Sequence, residues 1–113
     1  SSAAPLNGIP NYSLYAAARG AANALALTLA KELAPFNIQV NALAFNFIES
    51  PDYFPASLLE NPKSREKILG NIPLGRLGKP EEAAAIVAFL AGPSSDFITG
   101  QLIPVAGGWA TAR

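Results

Sequence analysis

The sequence contains no cysteine, no histidine and no methionine. Without the first two there is no thiol nucleophile, no imidazole base and none of the common zinc ligand sets. Acid–base chemistry is left to Asp, Glu, Tyr or Lys. The missing Met means that Ser1 is not a translation start, and Ser1-Ser2-Ala3-Ala4-Pro5 resembles neither a signal peptide nor the start of a helix. The expectation is a cut inside a larger fold, with any targeting segment upstream. Charge is also scarce, at 14% of residues, and it balances at eight acidic and eight basic side chains. Zero net charge with no basic run argues against a nucleic-acid partner. No apolar stretch approaches the roughly 20 residues of a membrane span. What is abundant is apolar residues, which make up 50% of the 113 positions. That composition suits one small domain at most, burying its surface inside itself or against a partner.

Residues 1–12 hold Pro5, Asn7, Gly8, Pro10 and Asn11 and read as a loop. A long helix is expected from Ser13 to Ala34, where Leu14, Ala18, Ala22, Leu25, Leu29 and Leu33 recur at helical spacing. Ser13 or Asn11 can cap it, and Pro35 ends it. Its many Ala residues and Gly20 imply close approach, either within one subunit or at a helix–helix dimer seam. Ile38–Leu43 reads as a buried strand and Phe45–Ala56 as an aromatic loop. Asn61-Pro62 opens a short amphipathic helix that runs to about Leu69. Pro80-Glu81-Glu82 opens another, ending near Ala91, with its acids where the helix dipole favours them. Residues 71–79 and Gly92–Gly100 read as connectors, Gln101–Val105 as a second strand, and Gly107-Gly108 as the close of the ordered part. Helices alternating with strands point to an α/β fold with a parallel sheet. Two strands are too few for such a sheet alone. The expected class is therefore the C-terminal part of a Rossmann-like doubly wound sheet, with residues 1–113 forming a portion of one domain.

Tyr15 and Arg19 lie four residues apart on the first helix and share a face. Ser2 precedes Tyr15 by thirteen residues, across a loop. A free tyrosine titrates near pH ~10, and a nearby cation favours its phenolate. Arginine supplies that charge without giving up its own proton. The same spacing also occurs as a plain surface contact, so these residues alone leave catalysis and packing both open. Tyr12 has Ala16, not a cation, four residues on. Glu81 and Glu82 suit the helix dipole better than an active site. Trp109 is either a pocket wall or a packing anchor.

Ser2 with Tyr15-Ala16-Ala17-Ala18-Arg19 resembles the Ser…Tyr-x-x-x-Lys signature of the short-chain dehydrogenases/reductases. Ile38–Leu43 is similar to the strand after their catalytic helix. Leu74-Gly75-Arg76-Leu77-Gly78-Lys79-Pro80-Glu81-Glu82 is similar to the lead into their penultimate helix. Phe89-Leu90-Ala91, Ile98-Thr99-Gly100-Gln101 and Gly107-Gly108 fit their closing segment. The common order of these stretches carries more weight than any one of them.

The match departs from the dehydrogenases at two places. Arg19 stands where they have the Lys that holds nicotinamide ribose. Ala44-Phe45-Asn46-Phe47-Ile48 stands where they have Pro-Gly at the nicotinamide wall. In both departures the chain resembles the halohydrin dehalogenases, although Phe45 replaces the proline usual there. The resemblance implies a Ser2-Tyr15-Arg19 triad working without a cofactor. Tyr15 would be the base, Ser2 a hydrogen bond to substrate, and Arg19 the group lowering the Tyr15 pKa. Phe45, Asn46, Phe47, Ile48, Tyr53 and Phe54 would form a halide and substrate pocket. The implied reaction turns a vicinal halohydrin into an epoxide and a halide, and its reverse opens epoxides with small anions. A homotetramer and a cytoplasmic location are further expectations; no metal is implied. The alternative is an NAD- or NADP-dependent oxidoreductase with Arg for Lys. A third reading, a non-catalytic piece acting in assembly, rests on the Ala-rich helix alone. The isolated chain is expected to be inactive and poorly stable; a cooperative thermal transition from it would contradict that.

Overall fold

The computed structural model describes residues 1–111. In chain order it holds α1 (Ala4–Asn7), α2 (Ser13–Leu33), β1 (Ala42–Phe45), α3 (Ala56–Leu59), α4 (Pro62–Gly70), α5 (Pro80–Ala91) and β2 (Leu102–Val105). Short 3-10 turns cover Ala34–Phe36 and Pro93–Ser95. β1 and β2 pair in parallel, from Ala42 opposite Leu102 to Phe45 opposite Val105. Parallel neighbours need a long crossover, and α3, α4 and α5 provide it. On the other edge of β1, Ser2 forms a parallel bridge to Phe45, with the Ala3 N–H donating to the Phe45 carbonyl at 3.0 Å. This is the α/β, parallel, Rossmann-like arrangement expected from the alternation of helix and strand.

Several boundaries differ from the sequence reading, each for a local reason. The first strand is Ala42–Phe45, not Ile38–Leu43. Ahead of it, side chains take the bonds a ladder would make. Thr99 Oγ1 accepts the Val40 N–H at 3.0 Å, and Asn41 Nδ2 donates to the Ile98 carbonyl at 3.1 Å. Asn41 Oδ1 accepts the Gln101 N–H at 3.0 Å, which also delays the start of β2 to Leu102. Residues 1–12 are not all loop. Ser2 Oγ accepts the Ala4 N–H at 3.1 Å, and Pro5 sits in the first turn of α1. The aromatic loop is shorter than expected, because Phe45 closes β1 and Ala56 opens α3. Neither Asn11 nor Ser13 caps α2. Asn11 takes a left-handed turn (φ 70°), and Tyr12 precedes the helix with no side-chain cap bond.

Other starts are as read. Asn61 Oδ1 accepts the Lys63 and Ser64 N–H groups at 3.0 and 3.4 Å, and Pro62 occupies the first turn of α4. At the head of α5, Glu82 does more than complement a dipole. Its carboxylate receives both terminal nitrogens of Arg76, at 2.6 and 2.8 Å, and the Lys79 N–H at 3.0 Å.

The core is narrow. Ala3, Ala44, Ala106 and Ala110 form its buried centre, with Leu6, Leu102 and Trp109 packed around it. The Cα radius of gyration is 15.6 Å, above the roughly 13–14 Å of a compact domain of this length. Leu14, Phe36, Leu74 and Phe97 are correspondingly exposed. Asn23 and Ala30 are the buried residues of α2. No described helix is long and apolar enough to cross a membrane.

Two outcomes follow from this packing. Gly107 has φ 60°, and a Cβ placed there would lie 2.6 Å from Ile72 Cγ2. Gly107→Ala should therefore lower stability by ~1–3 kcal/mol in chemical denaturation; an unchanged midpoint contradicts the tight turn. The bonds from Arg76, then that from the Lys79 amide, hold the Glu82 carboxyl down from 4.5 to about 2. A depressed carboxyl stabilises the fold above its unfolded value, and that contribution is lost as pH falls through the folded value, here between 4.5 and about 2. An NMR titration should place the Glu82 midpoint near 2, and Arg76→Gln should return it toward 4.5; an ordinary midpoint in the unsubstituted protein contradicts the clamp.

Candidate active site

Ser2 sits at the end of its short extended segment, 7% exposed, beside the last residue of β1. Its hydroxyl oxygen accepts the Ala4 N–H at the start of α1, which fixes its direction. Tyr15 reaches toward it from the first turns of α2, and the Tyr15 hydroxyl donates to Ser2 Oγ at 3.5 Å. That is the outer limit of a hydrogen bond. Two hydroxyls so spaced leave room for a third oxygen to touch both. One helical turn on, the Arg19 guanidinium carbon stands 5.3 Å from the centre of the Tyr15 ring. The i, i+4 spacing thus becomes a cation over an aromatic face. Tyr12 packs edge-on against Tyr15, at 6.2 Å between ring centres.

The opposite wall is the loop leaving β1. Asn46 continues the sheet for one more bond, its N–H donating to the Val105 carbonyl at 3.3 Å. Its Oδ1 then accepts the Phe47 N–H at 2.8 Å. Phe47 adopts φ 56°, a left-handed conformation rare for a bulky residue. The strain is held by neighbours. The Phe47 carbonyl accepts the Gly78 N–H at 2.9 Å, and the Glu49 N–H donates to the Gly78 carbonyl at 2.8 Å. In a parallel bridge of this kind the middle residue, Ile48, points its own N–H and C=O away from Gly78. Gly78 must be small: a Cβ there would lie 2.7 Å from Ile48 Cδ1. The Phe47 ring packs at 5.8 Å from Phe54 and edge-on at 5.5 Å from Trp109. Trp109 thus backs the wall; its carbonyl also accepts Asn7 Nδ2 at 2.7 Å.

Between these walls lies a cavity of about 340 Å³. Ser2, Tyr15, Arg19, Phe45, Asn46, Phe47, Ile48, Tyr53 and Phe54 all line it, so the structure brings together the residues expected for the triad and the pocket, while Tyr12, Glu81, Glu82 and Trp109 lie outside the lining. Sequence reasoning missed Ser1, Glu49, Ser50 and Ala83, which share the lining. Ser1 is held there by a hydrogen bond to Asn23, the buried polar residue of α2. Ala83 arrives from the first turn of α5 by the crossover, which no local pattern announces. Glu49 and Ser50 lie inside the aromatic loop, where a contiguous reading had a signal for them. No cluster of metal-ligating side chains is found among the described residues.

The site is mostly apolar on the loop side and hydroxyl-bearing and cationic on the helix side. Such an arrangement can hold an oxygen substituent at one end and a weakly hydrated group at the other.

The family model described as enoyl-(acyl carrier protein) reductase matches residues 1–110. A 3-oxoacyl-(acyl-carrier-protein) reductase of Thermotoga maritima is 46% identical over 108 residues, 96% of this chain and 42% of that protein. A tropinone reductase homologue of Datura stramonium is 39% identical over 110 residues, 96% of this chain and 41% of that protein. Among solved structures, one described as a dehalogenation enzyme is 53% identical with a TM-score of 0.92, over 97% of this chain and 45% of its own. An NADPH-bound short-chain oxidoreductase of Pseudomonas aeruginosa PAO1, described as having an atypical catalytic centre, is 33% identical with a TM-score of 0.86, over 100% of this chain and 45% of its own. The chain spans less than half the length of each of these proteins. Its sequence match, its parallel α/β fold and the placement of Ser2 and Tyr15 lead to one conclusion: the chain belongs to the short-chain dehydrogenase/reductase superfamily.

Proposed function

We propose that the protein of which this chain is part converts vicinal halohydrins to epoxides and halide without a nicotinamide cofactor. The observation that carries this reading is the cavity itself. It sets the Ser2 and Tyr15 hydroxyls and the Arg19 cation against a wall of Phe45, Phe47, Ile48, Tyr53 and Phe54. The 53% identity to a structure described as a dehalogenation enzyme supports it.

The chemistry follows from the residues. The substrate hydroxyl lies between Ser2 Oγ and Tyr15 Oη, filling the gap between them. Tyr15, as phenolate, takes its proton, and Arg19 supplies the counter-charge beside the ring. The alkoxide oxygen attacks the neighbouring carbon from behind, forming the C–O bond as the carbon–halogen pair leaves with the halide. Aromatic ring edges and the outward Ile48 N–H suit a large, weakly hydrated anion. Alignment and base catalysis are the protein's contribution. Run in reverse, the same site would open epoxides with small anions. The rings that Phe45 and Phe47 present suit a nicotinamide poorly, and Arg19 holds the ring of Tyr15 where a lysine would reach for ribose.

The second reading is an NAD(P)-dependent oxidoreductase, which the reductase names of the relatives at 39–46% identity favour. Bromide release from a small vicinal bromo-alcohol separates the two. Tyr15→Phe in the full-length protein should cut release by ~100-fold or more. Arg19→Gln, which removes the cation alone, should lower kcat by roughly 100-fold. Substantial release by Tyr15→Phe would sink the mechanism, and NAD(P)H consumption on carbonyls with no bromide release would favour the oxidoreductase.

A further inference from the structure

One charged cavity residue is unused by the chemistry above. Glu49 lines the cavity within the loop that carries Phe47, Ile48, Tyr53 and Phe54. On the proposed reading this is the end where the halide leaves, and a carboxylate there has the same sign as the ligand. The backbone of Glu49 is not free to withdraw, because its N–H donates to Gly78 at 2.8 Å. Arg76 feels the charge of Glu49, yet its guanidinium is already engaged by both oxygens of Glu82, at 2.6 and 2.8 Å. Arg19, the other charged group of the lining, stands 5.3 Å over the Tyr15 ring at the hydroxyl end. Within the lining, the cation thus stands at the hydroxyl end and the one acidic residue in the loop.

We propose that Glu49 sets the anion affinity of this site. It weakens the binding of halide and other small anions by like-charge repulsion, so that product leaves readily and anions re-enter poorly. The inference rests on the dehalogenation reading. The overall equilibrium is untouched; what changes is how long the anion stays. Epoxide opening by an anion begins with entry into the same end, so Glu49 holds that direction back at low anion concentration. Glu49 is solvent-exposed, so water and salt screen it and the effect is moderate, on the order of three- to tenfold.

The test compares the unsubstituted full-length protein with Glu49→Gln and Glu49→Lys. The bromide dissociation constant is measured by bromide NMR line broadening, which needs no turnover. The KM of a neutral halohydrin is measured alongside. Glu49→Gln should tighten bromide roughly three- to tenfold and Glu49→Lys further, with both differences shrinking at high ionic strength. The neutral KM should move much less. An unchanged bromide constant with intact halide release overturns the role of Glu49 and leaves the functional reading standing. A parallel change in bromide constant and KM marks a change of cavity shape, and also overturns it. No bromide binding and no halide release in the unsubstituted protein overturns both.

Discussion

The amide of Ala3 donates to the carbonyl of Phe45 at 3.0 Å, and the two walls of the cavity meet at that bond. Ser2 stands one residue before the donor, and the aromatic loop begins one residue after the acceptor. Such a bond adds only ~1 kcal/mol of net stability, so its importance is positional. It places a serine hydroxyl and a strand end side by side, and α2 then lowers Tyr15 onto the same spot. On the far edge of β1, the Asn46 amide reaches Val105 of β2 at 3.3 Å. The cavity thus opens at the carboxyl ends of parallel strands, where α/β sheets place their ligands.

The loop wall is shaped by strain that its neighbours hold in place. A left-handed non-glycine residue costs ~1–3 kcal/mol and persists where the surroundings over-determine it. Phe47 meets that condition through Asn46, through the paired bonds with Gly78 and through ring contacts to Phe54 and Trp109. Gly78 and Trp109 never touch the cavity, yet they decide where its rings stand. The clamp of Arg76 on Glu82 fixes the head of α5 just after Gly78. The charges of the cavity are thereby left to Arg19 and Glu49.

Much of this was legible in the sequence, for reasons that differ from residue to residue. Tyr15 and Arg19 share a helix, so the 3.6-residue period alone puts them together. Asn61-Pro62 and Pro80-Glu81-Glu82 carry their capping chemistry locally. Ser2 is different: it lies thirteen positions before Tyr15, across α1 and the turn at Asn11, and only resemblance to a known signature joins them. The first strand was misplaced because Ile38–Leu43 is apolar enough to read as a strand, while its real pairing is set by Asn41 and Thr99. α1 and α3, four residues each, are too short to show a period. Ala83 reaches the lining, and Gly78 the back of its wall, through the crossover, a long-range path that no helical or strand period marks. Glu49 stands among Phe45, Phe47, Tyr53 and Phe54, whose pattern in the sequence marks the loop as apolar and gives no sign of an acidic lining residue.

On the proposed reading, this cavity turns a hydroxyl and a neighbouring halogen into an epoxide without nicotinamide. Counting products from one sample tests it most directly: full-length protein freed of nucleotide, a vicinal bromo-alcohol, and bromide and epoxide quantified together. Bromide and epoxide in equal amounts, unaffected by added NAD(P)H, is the expected result. No bromide, or bromide that appears without epoxide or only when NAD(P)H is supplied, would contradict it.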